Sequence, residues 1–152
     1  MHPNIKANPL YISIVLLVFS YLIGEFIFPK YNLIYLINIF GLLGLLLSSI
    51  FFFTAFNLFS SYKENPKPAT DTKRLIKTGI FAYTRNPIYI SFILFHFSMF
   101  LVFENVMYFL SSIALAIWLH HWVIKSEEEY LQAKFKEEYT RYKNSVKRWF
   151  LI

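Results

Sequence analysis

Three long stretches of the chain contain no charged residue, namely 31–62, 86–103 and 105–124. A fourth apolar stretch runs from Leu10 to Phe28 and is interrupted only by Glu25. A helix needs about 20 apolar residues to cross a bilayer core of ~30 Å. The pattern predicts an all-α integral membrane protein with four transmembrane helices, over about 9–28, 33–62, 87–103 and 105–124, in one domain spanning 1–152.

The segments between these helices contain residues that end or begin helices. Pro66 and Pro68 forbid a continuous helix in the long loop after the second helix. Pro87 suits the first turn of the third helix, where its missing N–H costs nothing. Glu104 and Asn105 separate the third and fourth helices, so we expect a tight turn and a helical hairpin. The short sequence PKYN, at 29–32, is the expected turn between the first two helices.

Small residues recur along one face of the second predicted helix. Gly41, Gly44 and Ser48 follow one another at spacings of three and four. Small side chains let two helix backbones approach closely in a membrane. We therefore expect another helix to pack against this face, although small residues are also tolerated without such a role.

The chain becomes polar after Ile124. Ser126 followed by Glu129 fits a capping box, which predicts a separate tail helix over about 126–143. The apolar residues of this helix recur at near-helical spacing, at Leu131, Phe135, Tyr139 and Tyr142. This spacing predicts a C-terminal amphipathic helix that lies on the cytoplasmic membrane surface or on the protein's own loop.

The distribution of charge indicates orientation in the membrane. The net charge is +6, and most basic residues lie in the long loop and in the tail. Both segments, and with them both chain termini, are therefore expected on the cytoplasmic side. This distribution favours lipid headgroups over nucleic acid as the partner, and the oligomeric state is left open. The sequence contains no cysteine, which excludes disulfides and thiolate catalysis.

A first group of residues suited to binding lies where the third helix begins. Tyr83, Arg85, Asn86, Pro87 and Tyr89 occur within seven positions. The guanidinium group of arginine matches a carboxylate or a phosphate, and tyrosine rings can rest against a cation. The same residues also fit an arginine that extends to the membrane surface between interfacial tyrosines.

A second group consists of two adjacent acids, Glu127 and Glu128, just beyond the fourth helix. Their depth matches that expected for Arg85, so their carboxylates are candidates for binding an ammonium group or a bound cation. The alternative is that they stabilise the first turn of the tail helix through its dipole.

Three histidines lie in the third and fourth predicted helices. Neighbours on a helix point about 100° apart, so His120 and His121 are not expected to bind one metal ion, and no metal site is predicted. Hydrogen bonding or packing is the default role, including for His96. If the fourth helix continues into the tail, His120 shares a face with Glu127, and His121 with Glu128, which would allow a substrate-side role for one of these histidines.

Two blocks of sequence resemble the signatures of one enzyme family. The first block matches at Asn65, Pro66, Pro68, Leu75, Gly79, Phe81, Tyr83, Arg85, Asn86, Pro87 and Tyr89. The second matches at Glu127, Glu128, Leu131, Phe135, Glu138, Tyr139, Tyr142, Val146, Arg148 and Trp149. Together they resemble the isoprenylcysteine carboxyl methyltransferases and the related phospholipid N-methyltransferases, in the Arg-Asn-Pro form of a bacterial branch. The departures from the signatures are Ile80 in place of proline, Asn86 in place of histidine, and Ser91 and Lys136 in place of glycine.

This resemblance implies S-adenosylmethionine as the cofactor, a lipid or other hydrophobic acceptor such as a prenylated molecule, and a bacterial inner membrane. It implies cofactor binding by Gly79, Tyr83, Arg85, Asn86, Pro87, Tyr89, Glu127 and Glu128, and catalytic roles for Arg85, Glu128 and His120. In this scheme Arg85 binds the cofactor's carboxylate, a glutamate binds its ammonium or ribose hydroxyls, and the tyrosines cover the adenine or the sulfonium.

The resemblance leaves the acceptor open. The motifs are most like those of the isoprenylcysteine carboxyl O-methyltransferases, and the alternative is N-methylation of a phosphatidylethanolamine-type lipid. Two further alternatives are an NADPH-dependent sterol-type membrane reductase and a non-catalytic lipid-binding protein. The first is disfavoured because the reductase tail contains a cysteine, whereas this chain has none.

Overall fold

The computed structural model describes residues 7–27, 34–68 and 70–150, and in these ranges it contains helices and no strand. The main helices are α1 (Pro9–Phe26), α2 (Tyr35–Ser61), α3 (Pro87–Phe103), α4 (Val106–Trp118) and α5 (Lys125–Ser145). A 3₁₀ helix (Gly79–Ala82) precedes α3, and a π-helical segment (Leu119–Ile124) joins α4 to α5. The predicted turn at 29–32 lies outside the described residues.

Three helices are long and apolar enough to cross a membrane: Pro9–Phe26, Tyr35–Ser61 and the continuous helix Val106–Ser145. Large apolar side chains of α1 and α2, such as Phe19 and Leu46, point outward and are more than half exposed, as expected for lipid-facing surfaces. The predicted all-α membrane class is therefore confirmed. The fourth helix of the expected set, α3, is apolar and 17 residues long, and its crossing stays a prediction.

The second and third helices pack closely through the predicted small residues. A Cβ atom added to Gly41 would lie 2.8 Å from Val102 and 2.9 Å from Leu101. One added to Gly44 would collide with the Ser98 hydroxyl. The Ser48 hydroxyl donates a hydrogen bond of 2.9 Å to the Ser91 carbonyl. The expectation that this face of α2 receives another helix is confirmed.

A buried histidine connects three helices. His96 on α3 is fully buried, and its Nε2 lies 3.0 Å from the Ser13 hydroxyl on α1. Its Nδ1 lies 2.7 Å from the Ser111 hydroxyl on α4. A polar ring in an apolar bundle must satisfy both nitrogens, and these serines do so. The hydrogen-bonding role expected for His96 is confirmed.

The turn before α4 forms as predicted, but the start of the tail helix differs from the prediction. Glu104 adopts a left-handed conformation with φ 56°, and the Asn105 side chain accepts a hydrogen bond of 2.9 Å from the Met107 amide. The capping box at Ser126 is not formed, because Ile124 and Lys125 keep helical dihedrals and α4 continues through the π-helical segment into α5. The acids that follow therefore do not stand at a free helix start.

The polar part of this long helix, α5, packs on the protein's own loop. Its apolar stripe, predicted from spacing, includes the buried Tyr139 and Tyr142 and contacts Leu75 of the loop. Within α5, Lys136 has φ 46° and ψ −115°, a conformation that side chains disfavour. Glycine, expected here from the resembled signature, adopts such a conformation without this strain. Beyond Ser145 the chain turns back toward the start of α3.

Candidate active site

The site is organised around the segment that leads into α3. The 3₁₀ helix begins at Gly79, which has a φ of +57°. A Cβ atom added there would lie 2.7 Å from Leu58 Cδ1, so any residue other than glycine would be strained at this position. The Tyr142 hydroxyl donates a hydrogen bond of 2.7 Å to the Phe81 carbonyl, and this fixes the segment against α5. Pro87 is fully buried as the first residue of α3. The segment Tyr83–Asn86 is thereby held at the polar end of the helix bundle.

Hydrogen bonds attach the C-terminal segment to this same stretch. The Arg85 amide donates to the Lys147 carbonyl over 3.0 Å. The Thr84 hydroxyl and the Asn86 side-chain amide both donate to the Arg148 carbonyl, each over 3.1 Å. Asn86 therefore positions the backbone of Arg148, a structural contact that the sequence did not predict.

Two arginines and one glutamate form a buried charge cluster. Arg85 Nη2 lies 2.7 Å from Glu128 Oε1, with side-chain exposures of 8% and 10%. Arg148 donates to the same carboxylate from Nη2 over 2.6 Å and from Nε over 2.9 Å. Arg85 Nη1 donates to the carbonyls of Lys143 and Val146. The cluster joins α3's entry, α5 and the C-terminal segment.

The two adjacent glutamates have different electrostatic environments. Burial would by itself raise the pKa of Glu128, but hydrogen bonds from Arg148 and the charge of Arg85 outweigh it and hold this pKa below its ordinary value. Burial raises the pKa of Glu127 to about 7, although a hydrogen bond from the Tyr89 hydroxyl opposes the shift. That hydroxyl lies 2.9 Å and 3.0 Å from the two Glu127 oxygens. Glu128 is thus a fixed anion, whereas Glu127 titrates near neutral pH.

A polar cavity opens beside this cluster, between the loop and α5. Of the residues predicted to form the site, it is lined by Arg85, Asn86, Glu127 and Glu128. The loop contributes Lys67 and Arg74 among others. Five aromatic side chains surround the same space: Phe59, Phe81, Tyr130, Tyr139 and Tyr142. The cavity therefore combines acids, bases and flat apolar faces.

The remaining predicted residues do not line this cavity. Tyr83 is 68% exposed, so the structure gives no support for its ring covering a cofactor there. Gly79 and Pro87 shape the backbone, and Tyr89 reaches the site only through Glu127. His120 lies on a different surface, between α3 and α4.

An apolar groove runs between α3 and α4. Its walls include Ile90, Phe97 and Ile117, and its polar end is formed by His120, His121 and Trp149. The His120 ring stacks on Trp149 with a centroid distance of 6.5 Å. Arg148 Nη1 lies 3.4 Å from His120 Nε2. Arg148 therefore contacts both the carboxylate of the cavity and the histidine of the groove.

Sequence reasoning missed the part that Arg148 plays. The residue matched the tail signature, but nothing in its spacing indicated that it would share Glu128 with Arg85. Tyr139 and Tyr142 were also missed as cavity residues, because their helical spacing was explained by packing alone, and Tyr130 was not singled out. In the part of the chain that the structure describes, no group of three or more acidic or histidine side chains is placed to hold a metal ion.

These features define a helical membrane protein with a polar, charged cavity next to an apolar groove. The sequence profile described as phospholipid methyltransferase matches residues 36–138, which cover α2, α3, α4 and most of α5. The chain therefore belongs to the phospholipid methyltransferase family, and the resemblance found in its motifs is confirmed. Membership makes it a membrane methyltransferase for lipid substrates. Comparisons with curated proteins and with solved structures return no match.

Proposed function

We propose that this protein transfers a methyl group from S-adenosylmethionine to the anionic head of a lipophilic acceptor, most like an isoprenylcysteine carboxylate. In this proposal α3 is the fourth crossing, both termini face the cytoplasm of a bacterial cell, and the donor binds from that side. The observation that carries the proposal is the position of Arg148, which contacts Glu128 of the polar cavity and lies 3.4 Å from His120 of the apolar groove.

The chemistry of the cavity fits the proposed methyl donor. S-adenosylmethionine carries a sulfonium, an ammonium, a carboxylate and an adenine. The cavity offers the acids Glu127 and Glu128, the cations Lys67 and Arg74, and several aromatic rings. Aromatic faces favour cations and stack with planar groups. When bound, the donor supplies an electrophilic methyl group, and the task of the chain is to align it with the acceptor.

The groove supports a lipophilic acceptor with a negative head. Its walls are apolar and its polar end carries His120 with Arg148 behind it. The buried cluster holds two arginines against one fixed carboxylate, so it has an excess positive charge. In a partly buried site this charge attracts an anion more strongly than in water. A carboxylate acceptor also needs no general base, and Arg148 would orient it.

N-methylation of a phosphatidylethanolamine-type lipid is the second candidate, and one observation favours it. Glu127 has a pKa of about 7, which suits a base that removes a proton from an ammonium group. In the same reaction the lipid phosphate would meet the positive end of the groove. The two candidates differ in the acceptor atom, which is oxygen in the first and nitrogen in the second.

The test is a methylation assay on the purified protein in lipid nanodiscs. Donor labelled in its methyl group is offered with a prenylated cysteine or with phosphatidylethanolamine, and products are read by mass spectrometry. We expect saturable donor binding and a methyl ester on the first acceptor. Methylated amine instead would establish the second candidate. Absence of donor binding and transfer would refute both, with NADPH binding supporting a reductase and lipid binding alone supporting a non-catalytic protein.

A variant pair tests the part of Arg148. Arg148→Gln is expected to lower kcat/KM for the acceptor at least about tenfold, because a charge-assisted hydrogen bond contributes about 1.5–3 kcal/mol. Arg141→Gln is the matched control, since Arg141 is exposed and does not line the cavity or the groove. Equal rates in both variants would contradict the role given to Arg148.

A further inference from the structure

The loop wall of the polar cavity carries an arginine, Arg74. Arg74 lines the cavity and is exposed, and among the described residues its guanidinium makes no hydrogen bond or ion pair. Arg85, the arginine first expected to bind a ligand carboxylate, is in the opposite situation. Both of its terminal nitrogens are engaged, by Glu128 and by two backbone carbonyls, and its side chain is 8% exposed.

The charges of the cavity are therefore divided between its two walls. The acids Glu127 and Glu128 lie on the α5 wall, whereas Lys67 and Arg74, which have no acidic partner within the ranges that the structure describes, lie on the loop wall. A free amino-acid group carries an ammonium and a carboxylate on one carbon. Such a zwitterion can bridge these walls, with its ammonium toward the acids and its carboxylate toward the loop.

We infer that Arg74 binds the carboxylate of the methionine part of the donor, and that Arg85 serves to hold the site together. The planar guanidinium matches a carboxylate with two parallel hydrogen bonds, which the single ammonium of Lys67 cannot make. Arg74 can also make this contact without losing a hydrogen bond or ion pair to the described part of the chain. This inference rests on the proposed function, because it requires that the cavity holds the methyl donor.

The test compares two ligands that differ only in the carboxylate. S-adenosylhomocysteine and its decarboxylated analogue are titrated by calorimetry into the detergent-purified full chain and into Arg74→Gln. The variant is expected to bind S-adenosylhomocysteine about tenfold more weakly and the analogue with unchanged affinity. Arg74→Lys should fall between the wild type and Arg74→Gln for the first ligand.

Lys73→Gln is the matched control, because Lys73 is the exposed neighbour of Arg74 and does not line the cavity. It should bind both ligands like the wild type. An Arg74→Gln protein that loses affinity for both ligands equally, or for neither, overturns the inference, as does a selective loss in Lys67→Gln instead. Failure of the wild-type chain to bind either ligand would refute the proposed function itself, and unchanged binding of the analogue shows that the variant's site is intact.

Discussion

Removing the charge of Glu128 should destabilise the protein more than removing any exposed acid. The carboxylate is 10% exposed and accepts hydrogen bonds from Arg85 and Arg148. Glu128→Gln keeps the shape of the side chain but leaves two arginines without an anion. Breaking a buried ion pair from one side costs about 3–5 kcal/mol, and the 25% exposure of Arg148 places the expected loss near the lower end, at about 3 kcal/mol.

The structure supplies a matched control for this prediction. Glu138 lies on the same helix as Glu128 and forms an ion pair of 2.6 Å with Lys77 of the loop, but the side chains of Lys77 and Glu138 are 44% and 45% exposed. Exposed pairs contribute less than about 1 kcal/mol, so Glu138→Gln should have little effect. Comparing two Glu→Gln changes on α5 removes differences in helix propensity and in side-chain size.

The assay is unfolding of detergent-purified protein at pH 7, followed by the fluorescence of its three tryptophans. Trp149 stacks on His120, so it reports when the C-terminal segment detaches. The double variant Arg85→Gln with Glu128→Gln should cost less than the sum of the single variants, because the two residues interact directly. A Glu128→Gln loss no larger than that of Glu138→Gln, or strict additivity, would refute the reasoning.

The burial of Glu127, the kink at Lys136 and the close approach of α2 to α3 can each be checked by unfolding measurements. Burial raises the pKa of Glu127 from 4.5 to about 7, so folding favours the protonated form of this acid. The resulting contribution to the free energy of unfolding is complete below pH 4.5 and is lost as the pH rises through 7. The wild type should therefore lose on the order of 2 kcal/mol relative to Glu127→Gln between pH 5 and pH 8, and parallel pH curves would contradict the burial of this acid. Lys136→Gly should increase the free energy of unfolding by about 1 kcal/mol, and so raise the unfolding midpoint, because glycine adopts the φ of 46° without strain. A lower midpoint would show that the kink is not strained. Gly41→Leu should separate α2 from α3 and lower the free energy of unfolding by more than about 2 kcal/mol. Leu42 faces outward, so Leu42→Ala should change this free energy little. Equal effects of the two variants in thermal unfolding would count against the close helix contact.

The sequence predicted those parts of the fold that depend on local signals. The third helix was expected over 87–103 and is observed as Pro87–Phe103, because a proline marks its first turn and Glu104 with Asn105 mark its end. The small residues of α2 predicted a packing face because their spacing follows the helical repeat. Such signals act between residues close in the chain, so one sequence is enough to recognise them.

The start of the tail helix shows where local signals fail. Ser126 and Glu129 would cap a free helix end by accepting hydrogen bonds from its first backbone amides. The helix continues from α4 through these residues, so there is no free end whose amides need such partners. No residue type specifies a π-helical turn, which depends on packing around it. His120 and Glu127 were expected to share a face, but this turn separates them, so one lines the groove and the other the cavity.

The site itself was partly predictable. Arg85 and Glu128 were expected to bind different parts of one ligand; they do lie together, 43 positions apart in the chain, but as an ion pair with each other, which was not predicted. The second arginine was not predictable from spacing, because the C-terminal segment is positioned by backbone contacts with Thr84 and Asn86. The orientation of Tyr83 away from the cavity is likewise decided by the backbone of the 3₁₀ helix and not by residue type.

The π-helical turn between α4 and α5 sets the rotation of everything that follows it. Each residue of a helix advances it by about 100°, so shortening this turn by one residue would swing the acids of α5 away from Arg85 by roughly that angle. Single substitutions would not reveal that the site depends on the length of this turn, because they leave the number of residues in it unchanged. Deletion variants at 119–124 are the route to it, and chain length in this turn is as much a determinant of the site as any side chain.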